Sequence, residues 1–231
     1  MIDWHSHILP EMDDGSKDVS ESLLMLDSLR DQGIESVVAT PHFYANDEPV
    51  ETFLERQKAS FDLLEKNLNA DHPKVICGAE VRYYSGISKM LNLENLAIGS
   101  TRFILLEMPI GKWTEYTVRE LIELASTRGL TVILAHIERY LALQSSKVWD
   151  RLYDCGILMQ VNASFICTRA SRRKAFKMLN EGRIHFIGSD CHNMTTRPPK
   201  IGEAYELISK KFGEDYLYQM NGYGKSILNK Q

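Results

Sequence analysis

The sequence predicts an α/β fold, a distorted TIM-like (β/α)7 barrel with a parallel sheet inside and helices outside. Short apolar runs alternate with amphipathic segments at intervals of roughly thirty residues, which is the pattern of repeated βα units. The apolar runs are continuous, as in strands that are buried on both faces. Right-handed crossovers between such strands favour a closed barrel. A doubly wound open sheet is the alternative, but the sequence has neither G-x-G-x-x-G nor G-x-x-x-x-G-K-[ST] to support it.

Seven apolar segments are predicted strands, and turn-forming or charged residues follow them. They cover residues 1–7, 36–40, 75–80, 103–107, 131–136, 158–162 and 184–190. Pro41 and Pro109 follow the second and fourth strands, where proline cannot continue a central strand. His42 therefore lies just past the end of the second strand.

The segments between these strands carry helical patterns. Asp18 followed by Glu21 is an N-cap signature, and Gly33 ends that first helix. Apolar residues three and four apart predict the other helices. These cover residues 53–68, 86–96, 118–125, 148–155, 170–180, 201–211 and 215–220. No repeat, low-complexity tract or linker divides the chain, so we expect one domain over residues 1–231.

Composition and charge exclude several classes of protein. The chain has 231 residues, 44% hydrophobic and 25% charged, with a net charge of −4 and a pI near 6.0. These values give no general attraction to nucleic acids or anionic membranes. We expect no signal peptide and no membrane span, because the start of the chain lacks a basic and apolar leader and no apolar run reaches about 18 residues. The four cysteines form no C-x-x-C pair, so we expect a reduced, cytoplasmic protein without a structural zinc site, of unknown oligomeric state.

The first strand carries two histidines, His5 and His7, separated by one residue. Side chains alternate between the two faces of a strand, so both imidazoles point the same way and can bind one metal ion. Asp3 shares their parity. A chance pair of surface histidines near the start of the chain would look the same, so the H-x-H pattern alone does not decide the matter.

The later strands end in the same kind of residue, and in parallel barrels the carboxyl ends of the strands form the active pole. Six of the seven predicted strands deliver an imidazole or carboxylate there, and the sixth strand delivers only Asn162. Any one of these side chains is more often solvated or hydrogen-bonded, but their joint position at one pole predicts a metal site. The predicted ligands are His5, His7, His42, Glu80, Glu107, His136, Asp190 and His192.

Five histidines and three carboxylates exceed the four ligands of a tetrahedral zinc site. Two or three neighbouring divalent ions fit this inventory, and imidazole with carboxylate suits Mn²⁺, Fe²⁺ or Zn²⁺ without choosing among them. Such clusters generate a hydroxide nucleophile near neutral pH and clamp the attacking and leaving oxygens, so the sequence predicts a hydrolase.

Two arginines favour phosphate esters as substrates. Arg139 lies three residues after His136, and Arg197 lies five residues after His192, so both are expected on loops at the active pole. Guanidinium groups match phosphate oxygens in pairs, although a surface position is the ordinary alternative. Asp14, on a glycine-containing loop after the first strand, is either a ligand of a further metal or a proton donor to the leaving oxygen. We interpret its neighbour Asp13 as solvated.

A competing motif is C-x5-R, formed by Cys191 and Arg197. This spacing is that of the phosphate loop of cysteine-dependent tyrosine phosphatases, in which a thiolate attacks phosphorus. The loop here contains no glycine, and Pro198 and Pro199 follow the arginine where a helix would start. Strand alternation also directs Cys191 away from the predicted metal ligands, so a small buried thiol is the favoured interpretation.

Basic residues cluster around the sixth helix: Arg169, Arg172, Arg173, Lys174, Lys177 and Arg183. A solvated helix face is the favoured interpretation, and docking of an acidic partner is the alternative.

Six short motifs span nearly the whole chain in order. They are I-D-W-H-S-H-I-L-P at 2–10, D-D-G at 13–15, A-T-P-H at 39–42, G-A-E at 78–80, A-H-I-E-R-Y at 135–140, and S-D-C-H-N with R-P-P at 189–199. In these motifs the chain resembles the PHP (polymerase and histidinol phosphatase) superfamily, most closely its bacterial protein tyrosine phosphatases of the CpsB type from capsule and exopolysaccharide operons.

This resemblance implies the PHP form of a distorted (β/α)7 barrel with a trinuclear, manganese-preferring site built from the eight predicted ligands, with Asp14 near the cluster. It implies that Arg139 and Arg197 bind phosphate. The implied substrate is phosphotyrosine in the tail of a bacterial tyrosine autokinase that controls polysaccharide export. A small-molecule phosphatase such as histidinol phosphatase, and a metal-occupied scaffold that binds the kinase tail without turnover, are the alternatives.

Overall fold

The structure, a computed structural model, describes residues 1–228. Within this range nine strands and eight α-helices follow one another. The strands are β1 (Ile2–Ser6), β2 (Ser36–Ala39), β3 (His42–Phe43), β4 (Lys74–Cys77), β5 (Glu80–Arg82), β6 (Phe103–Glu107), β7 (Thr131–Leu134), β8 (Leu158–Asn162) and β9 (Phe186–Gly188). The helices are α1 (Val19–Asp31), α2 (Val50–Glu65), α3 (Glu115–Ser126), α4 (Ser146–Asp154), α5 (Ala163–Cys167), α6 (Arg169–Asn180), α7 (Gly202–Phe212) and α8 (Glu214–Leu228).

All strand pairs are parallel, which confirms the predicted α/β class. One array has the order β1-β2-β4 and the other has the order β3-β5-β6-β7-β8-β9. The arrays are continuous through the chain, because β2 is followed at once by β3 and β4 by β5. The sheet therefore curls, with the carboxyl ends of its strands along one rim.

Hydrogen bonds join β1 to the segment that follows β9. The amide of Asp190 donates to the carbonyl of His5 at 2.8 Å, and the amide of His7 donates to the carbonyl of Cys191 at 2.9 Å. Ser6 and Cys191 form a parallel bridge. The first and last strands of the chain thus place their metal-type side chains next to each other.

Apolar side chains pack in two clusters. The larger one lies between the sheet and the surrounding helices. The smaller one joins Ile2 of β1 and Val38 of β2 with Leu105 of β6 and Ile133 of β7, and the end of α8 covers it. Because β1 and β6 are not neighbours in the sheet, this smaller cluster lies on the concave side. This smaller cluster packs beneath the rim formed by the carboxyl ends of the strands.

Most of the predicted elements form. The cap at α1 is confirmed, since the Asp18 carboxylate accepts a hydrogen bond from the Glu21 amide at 2.8 Å. The predicted strands at 103–107 and 158–162 match β6 and β8. No helix within residues 1–228 is both long and apolar enough to cross a membrane.

The third predicted strand is wrong in one respect, since it divides into β4 and β5. The division falls at Gly78, where the backbone passes so close to Ile98 that an added Cβ would lie 2.9 Å from its side chain. The helix predicted over 86–96 is two 3₁₀ turns, Ile87–Lys89 and Leu93–Leu96. Gly86 and Asn92 precede these turns in left-handed conformations that interrupt a regular helix.

The strands before His136 and Asp190 end earlier than predicted. Both residues adopt left-handed backbone conformations, with φ of 34° and 55°. Non-glycine residues adopt this region rarely, and such strain concentrates at functional sites. The short helix α5, directly after β8, was not predicted because five residues are too few to show a helical period.

Candidate metal centre and active site

The eight predicted metal ligands come together at the rim formed by the carboxyl ends of the strands. All are buried except His42, whose side chain is 17% exposed. They lie in and beneath a cavity of about 600 Å³, which five of them line directly. These five are His42, Glu80, Glu107, His136 and Asp190.

Three overlapping groups of side chains could hold cations, and each has its ligand atoms within 4.8 Å of one another. The groups are His5, His7 and Asp190; His42, Glu80 and Glu107; and His7, Asp14, His42 and His192. His7 and His42 each occur in two groups, as expected for neighbouring ions. His136 belongs to none of them, but its Nε2 lies 2.8 Å from Glu80 Oε1.

Three of the histidines are held by their Nδ1 atoms. His7 Nδ1 contacts Asp13 Oδ2 at 2.7 Å, His5 Nδ1 contacts Gln160 Oε1 at 3.4 Å, and His192 Nδ1 contacts a backbone carbonyl at 3.0 Å. All three partners only accept hydrogen bonds, so each Nδ1 carries the proton and each Nε2 presents a lone pair. Metal-binding histidines show this pattern, in which a partner outside the metal shell fixes the tautomer.

These lone pairs face one another. His5 Nε2 and His7 Nε2 are 3.2 Å apart. With both protons on Nδ1, no hydrogen lies between them, and the contact is repulsive unless a cation or an added proton occupies the space. His192 Nε2 is buried and has no hydrogen-bond partner among the described residues, and the buried His42 Nδ1 lies near Glu80 without an aligned hydrogen bond. The donor set therefore fits divalent metal.

Glu80 lies at the centre of the cluster. Its Oε2 atom is 3.2 Å from His5 Nε2 and 3.0 Å from His42 Nδ1, and its Oε1 contacts His136. Burial alone would raise the pKa of Glu80, but the surrounding histidines lower it well below its usual range. The same balance, with His5 and His7 as the partners, lowers the pKa of Asp190. Both side chains are thus carboxylates that attract cations.

The Asp13 side chain is only 7% exposed and contacts His7, so its interpretation as a solvated residue is wrong. Its Oδ2 atom contacts His7 Nδ1 and accepts a hydrogen bond from the His42 amide at 2.8 Å. Gly15 allows this approach, because an added Cβ there would lie 2.5 Å from His7 Cβ. The D-D-G motif thus supplies a carboxylate that orients His7. The sequence signal for this role of Asp13 was the glycine two residues after it, Gly15.

Three guanidinium groups surround the mouth of the cavity. Arg139 and Arg197 contact opposite oxygens of Asp190, at 2.9 Å and 2.8 Å. Arg139 sits in the 3₁₀ turn Ile137–Arg139, within the loop that follows β7. The third, Arg82, pairs with Glu107 at 2.6 Å and was not predicted. Its position at the end of β5 was hidden by the expectation of a strand that stopped at residue 80.

Asp14 lies on the outer side of the cluster. Its side chain is 66% exposed, and its Oδ1 atom is 3.4 Å from His192 Nε2 and 3.5 Å from His42 Nε2. Its other oxygen is 4.0 Å from Arg197. Both predicted roles, as a further ligand and as a proton donor, are compatible with this position.

Strand β8 contributes more than the predicted Asn162. Gln160 Oε1 also accepts a hydrogen bond from the His136 amide at 2.6 Å, so this side chain fixes two of the histidines. Asn162 donates to Asp190 Oδ2 at 2.8 Å. Alternation along β8 directs both side chains inward, and this parity was the available signal for Gln160.

Cys191 is fully buried and does not line the cavity. Burial is the largest cause that raises the pKa of its thiol. The following loop differs from a phosphate cradle, because Asn193 Oδ1 accepts hydrogen bonds from the amides of Thr195, Thr196 and Arg197. Arg197 itself contacts Asp190. The arrangement supports the buried, inert interpretation of Cys191.

Comparison with known proteins identifies the family. A family model described as capsular polysaccharide synthesis, CpsB/CapC, matches residues 1–225. The chain belongs to the CpsB/CapC family. The resemblance inferred from the motifs is therefore confirmed.

Curated relatives match over nearly their full length. The chain is 31% identical over 241 residues to the tyrosine-protein phosphatase YwqE of Bacillus subtilis, with 100% of this chain and 92% of the relative covered. It is 30% identical over 244 residues to the tyrosine-protein phosphatase CpsB of Streptococcus agalactiae serotype V, with 95% and 94% covered.

Solved structures agree in fold. A crystal structure from a study of Bacillus subtilis YwqE and Streptococcus pneumoniae CpsB, described there as metal-dependent tyrosine phosphatases, matches with a TM-score of 0.82. The sequences are 26% identical, and the match covers 100% of this chain and 95% of that chain. A chain of archaeal ribonuclease P shares the fold at 13% identity and a TM-score of 0.57, with 96% and 90% of the two chains covered.

Proposed function

We propose that this chain is a metal-dependent protein tyrosine phosphatase. The observation that carries the proposal is the convergence of buried imidazole and carboxylate ligands beneath a ring of three guanidinium groups in one cavity. Metal ions held by such ligands, with arginines at the mouth of the cavity, suit a phosphate monoester. Relatives of similar length are named tyrosine-protein phosphatases. Tyr44 and Pro198 line the same cavity and offer apolar surface to a phenol ring.

The proposed metal site uses all eight predicted ligands, with two or three divalent ions. Mn²⁺ is the proposed metal, with Fe²⁺ and Zn²⁺ as substitutes, because mixed imidazole and carboxylate ligands suit all three. Such ions, when bound, activate water and stabilise charge on phosphoryl oxygens. The histidine partners Asp13 and Gln160 hold the ligand geometry in advance.

The side chains of the chain itself have distinct roles in the proposed reaction. Arg139 and Arg197 bind the phosphoryl oxygens, and they hold Asp190 between them until the substrate arrives. Arg82 adds a third positive charge on the Glu107 side. Asp14, exposed beside His42 and His192, protonates or orients the leaving phenol oxygen. Free phenol has a pKa near 10, so help at this oxygen accelerates its departure.

We also infer the finer features of the protein. The sheet forms a distorted (β/α)7 barrel of the PHP type, and the bonds between β1 and residues 190–191 support closure. Residues 1–231 form one domain, and residues 229–231 lie outside the described structure. The four free cysteines fit a cytoplasmic protein. The proposed substrate is the phosphotyrosine tail of a bacterial tyrosine kinase in capsular or exopolysaccharide synthesis.

The test is hydrolysis of a tyrosine-phosphorylated peptide and of histidinol phosphate by the purified protein. Each assay is run before EDTA, after EDTA, and after Mn²⁺ is restored. We expect peptide hydrolysis that disappears on chelation and returns with Mn²⁺. Activity that survives thorough metal removal would overturn the metal mechanism and favour the C-x5-R loop. Preference for histidinol phosphate would overturn the protein substrate, and peptide binding without turnover in Mn²⁺ would indicate a scaffold.

A further inference from the structure

A second cavity lies between α6 and the end of α7, outside the metal centre. This α6–α7 groove has a volume of about 590 Å³. Five cationic side chains line it, namely Arg169, Arg172, Arg173, Lys177 and Lys211, and no carboxylate of the described residues does. The chain as a whole carries a net charge of −4, so this concentration of positive charge is local.

Most of this charge is not neutralised by neighbours. Arg169, Arg173 and Lys211 are exposed and, among residues 1–228, have no carboxylate within 4.0 Å. Lys177 has a loose contact with Glu181 at 3.7 Å on the same helix. Exposed guanidinium groups without partners favour an anionic ligand with paired oxygens, such as phosphate.

The groove also offers aromatic surface. Phe176 and Phe212 line it, with their ring centroids 5.6 Å apart in an edge-to-face arrangement. Tyr216 stacks behind Phe212 at 4.9 Å. Both phenylalanines are half-buried, so their exposed faces can contact an apolar ring. Arginines beside aromatic faces match a ligand that joins an anion to an aromatic ring.

The groove borders the active-site cavity. Thr168 lines the active-site cavity, and the next residue, Arg169, lines the groove. Arg172 Nε donates to the Ile166 carbonyl at 3.0 Å, and its guanidinium also bonds to the Cys167 carbonyl. The groove is therefore anchored to α5, whose residues form one wall of the active-site cavity.

We propose that the α6–α7 groove binds a second phosphotyrosine of the same substrate while the first occupies the metal centre. This inference rests on the proposed function, because it takes a tyrosine-phosphorylated protein as the substrate. An extended peptide advances about 3.3–3.6 Å per residue, so adjoining cavities can be reached by a single segment. Simultaneous binding of two phosphotyrosines would raise the affinity for multiply phosphorylated tails.

The test compares two double variants of the full chain. The groove variant carries Arg173→Ala and Lys211→Ala. The control carries Lys174→Ala and Lys210→Ala, which remove the same charge from neighbouring positions on the same two helices but lie outside the groove. Circular dichroism and thermal melting establish that both variants fold.

Binding is measured by fluorescence anisotropy with Mn²⁺ present, and non-hydrolysable phosphonate analogues replace the phosphorylated residues so that no turnover interferes. The probes are labelled peptides with one or two phosphotyrosine analogues at varied spacing, a phosphoserine-analogue peptide, a glutamate-rich peptide of equal charge and a single-stranded oligonucleotide. We expect the groove variant to bind the doubly phosphorylated peptide about tenfold more weakly than the wild type, while the control binds normally. Higher ionic strength should weaken wild-type binding more than groove-variant binding.

Turnover with Mn²⁺ gives the second readout. The groove variant should show a raised KM for the doubly phosphorylated peptide with unchanged kcat, and unchanged hydrolysis of free phosphotyrosine. Equal affinities of the groove and control variants would overturn the inference. So would equal or tighter wild-type binding of the phosphoserine peptide, the glutamate-rich peptide or the oligonucleotide. If the wild type hydrolyses no phosphotyrosine but the binding difference persists, the proposed function fails and the groove assignment stands.

Discussion

The buried ligand cluster and the arginine rim differ in how the protein holds them. In the cluster, His5 and His7 are completely buried, and hydrogen bonds fix their Nδ1 atoms. On the rim, Arg139 and Arg197 are 37% and 40% exposed, and their main partner is Asp190, which is itself a predicted ligand. Hydrogen bonds on the side away from the cavity preorganise the histidines of the cluster. The arginines of the rim are held mainly by Asp190, beside which we expect the substrate to bind.

This difference separates two requirements of phosphate hydrolysis. Metal ligands must not relax when the ions are absent, so burial and fixed tautomers suit them. Phosphate-binding arginines must exchange partners as the substrate enters and the product leaves, so partial exposure suits them. We therefore expect mutations in the cluster to affect metal content and mutations on the rim to affect turnover.

The largest expected effect is in the centre of the cluster. Glu80→Gln should reduce turnover by more than about 100-fold, because it removes a charge that contacts four histidines. Loss of a partner outside the metal shell already costs about 10–100-fold. Bound metal, measured by mass spectrometry after gel filtration, should fall in parallel. Glu55→Gln on the exposed face of α2 is the control. Normal activity of Glu80→Gln would contradict the distinction between the ligand cluster and the arginine rim.

The next effect is on the rim. Arg139→Lys and Arg197→Lys keep the charge but lose paired hydrogen bonds, so kcat should fall about 10- to 100-fold, somewhat less than the loss of an oxyanion donor elsewhere. Metal content should stay unchanged, and Arg119→Lys on α3 serves as the control. A loss of metal in either rim variant would show that the arginines belong functionally to the cluster.

Asp13→Asn tests the support behind the cluster. The asparagine side chain is neutral and would accept the hydrogen bond from His7 Nδ1 more weakly than the carboxylate does. Metal affinity should therefore fall about 10- to 100-fold. Activity should largely recover at saturating Mn²⁺, because Asp13 does not line the active-site cavity. Isothermal titration with Mn²⁺ measures the change, with Asp47→Asn in the nearby loop as the control. Unchanged affinity would mean that burial alone orients His7.

The smallest effect is expected at Cys191. Cys191→Ala should leave kcat within about twofold, because burial raises the pKa of this thiol and the metal centre makes a thiolate unnecessary. In the native protein, iodoacetamide should label the exposed Cys155 and spare Cys191. Loss of turnover in a folded Cys191→Ala protein with full metal content would contradict the account.

Strand ends and parity made the eight ligands predictable. Residues at the carboxyl ends of parallel strands meet whatever the details of each strand, so errors at the ends of β7 and β9 did not displace His136 or Asp190. Asp13, Arg82 and Gln160 were missed for a different reason. Their roles depend on three-dimensional packing, namely the close approach at Gly15, the break at Gly78, and contacts between strands far apart in sequence.

The most direct test of the account is a crystal structure of the Mn²⁺-loaded protein with anomalous scattering data. We expect two or three manganese peaks among the predicted ligands, with one between His5, His7 and Asp190 and another beside Glu80. Arg139 and Arg197 should remain outside the coordination shells. A protein that binds no manganese at this rim, or binds it only elsewhere, would contradict the central claim that this cluster is the catalytic metal centre.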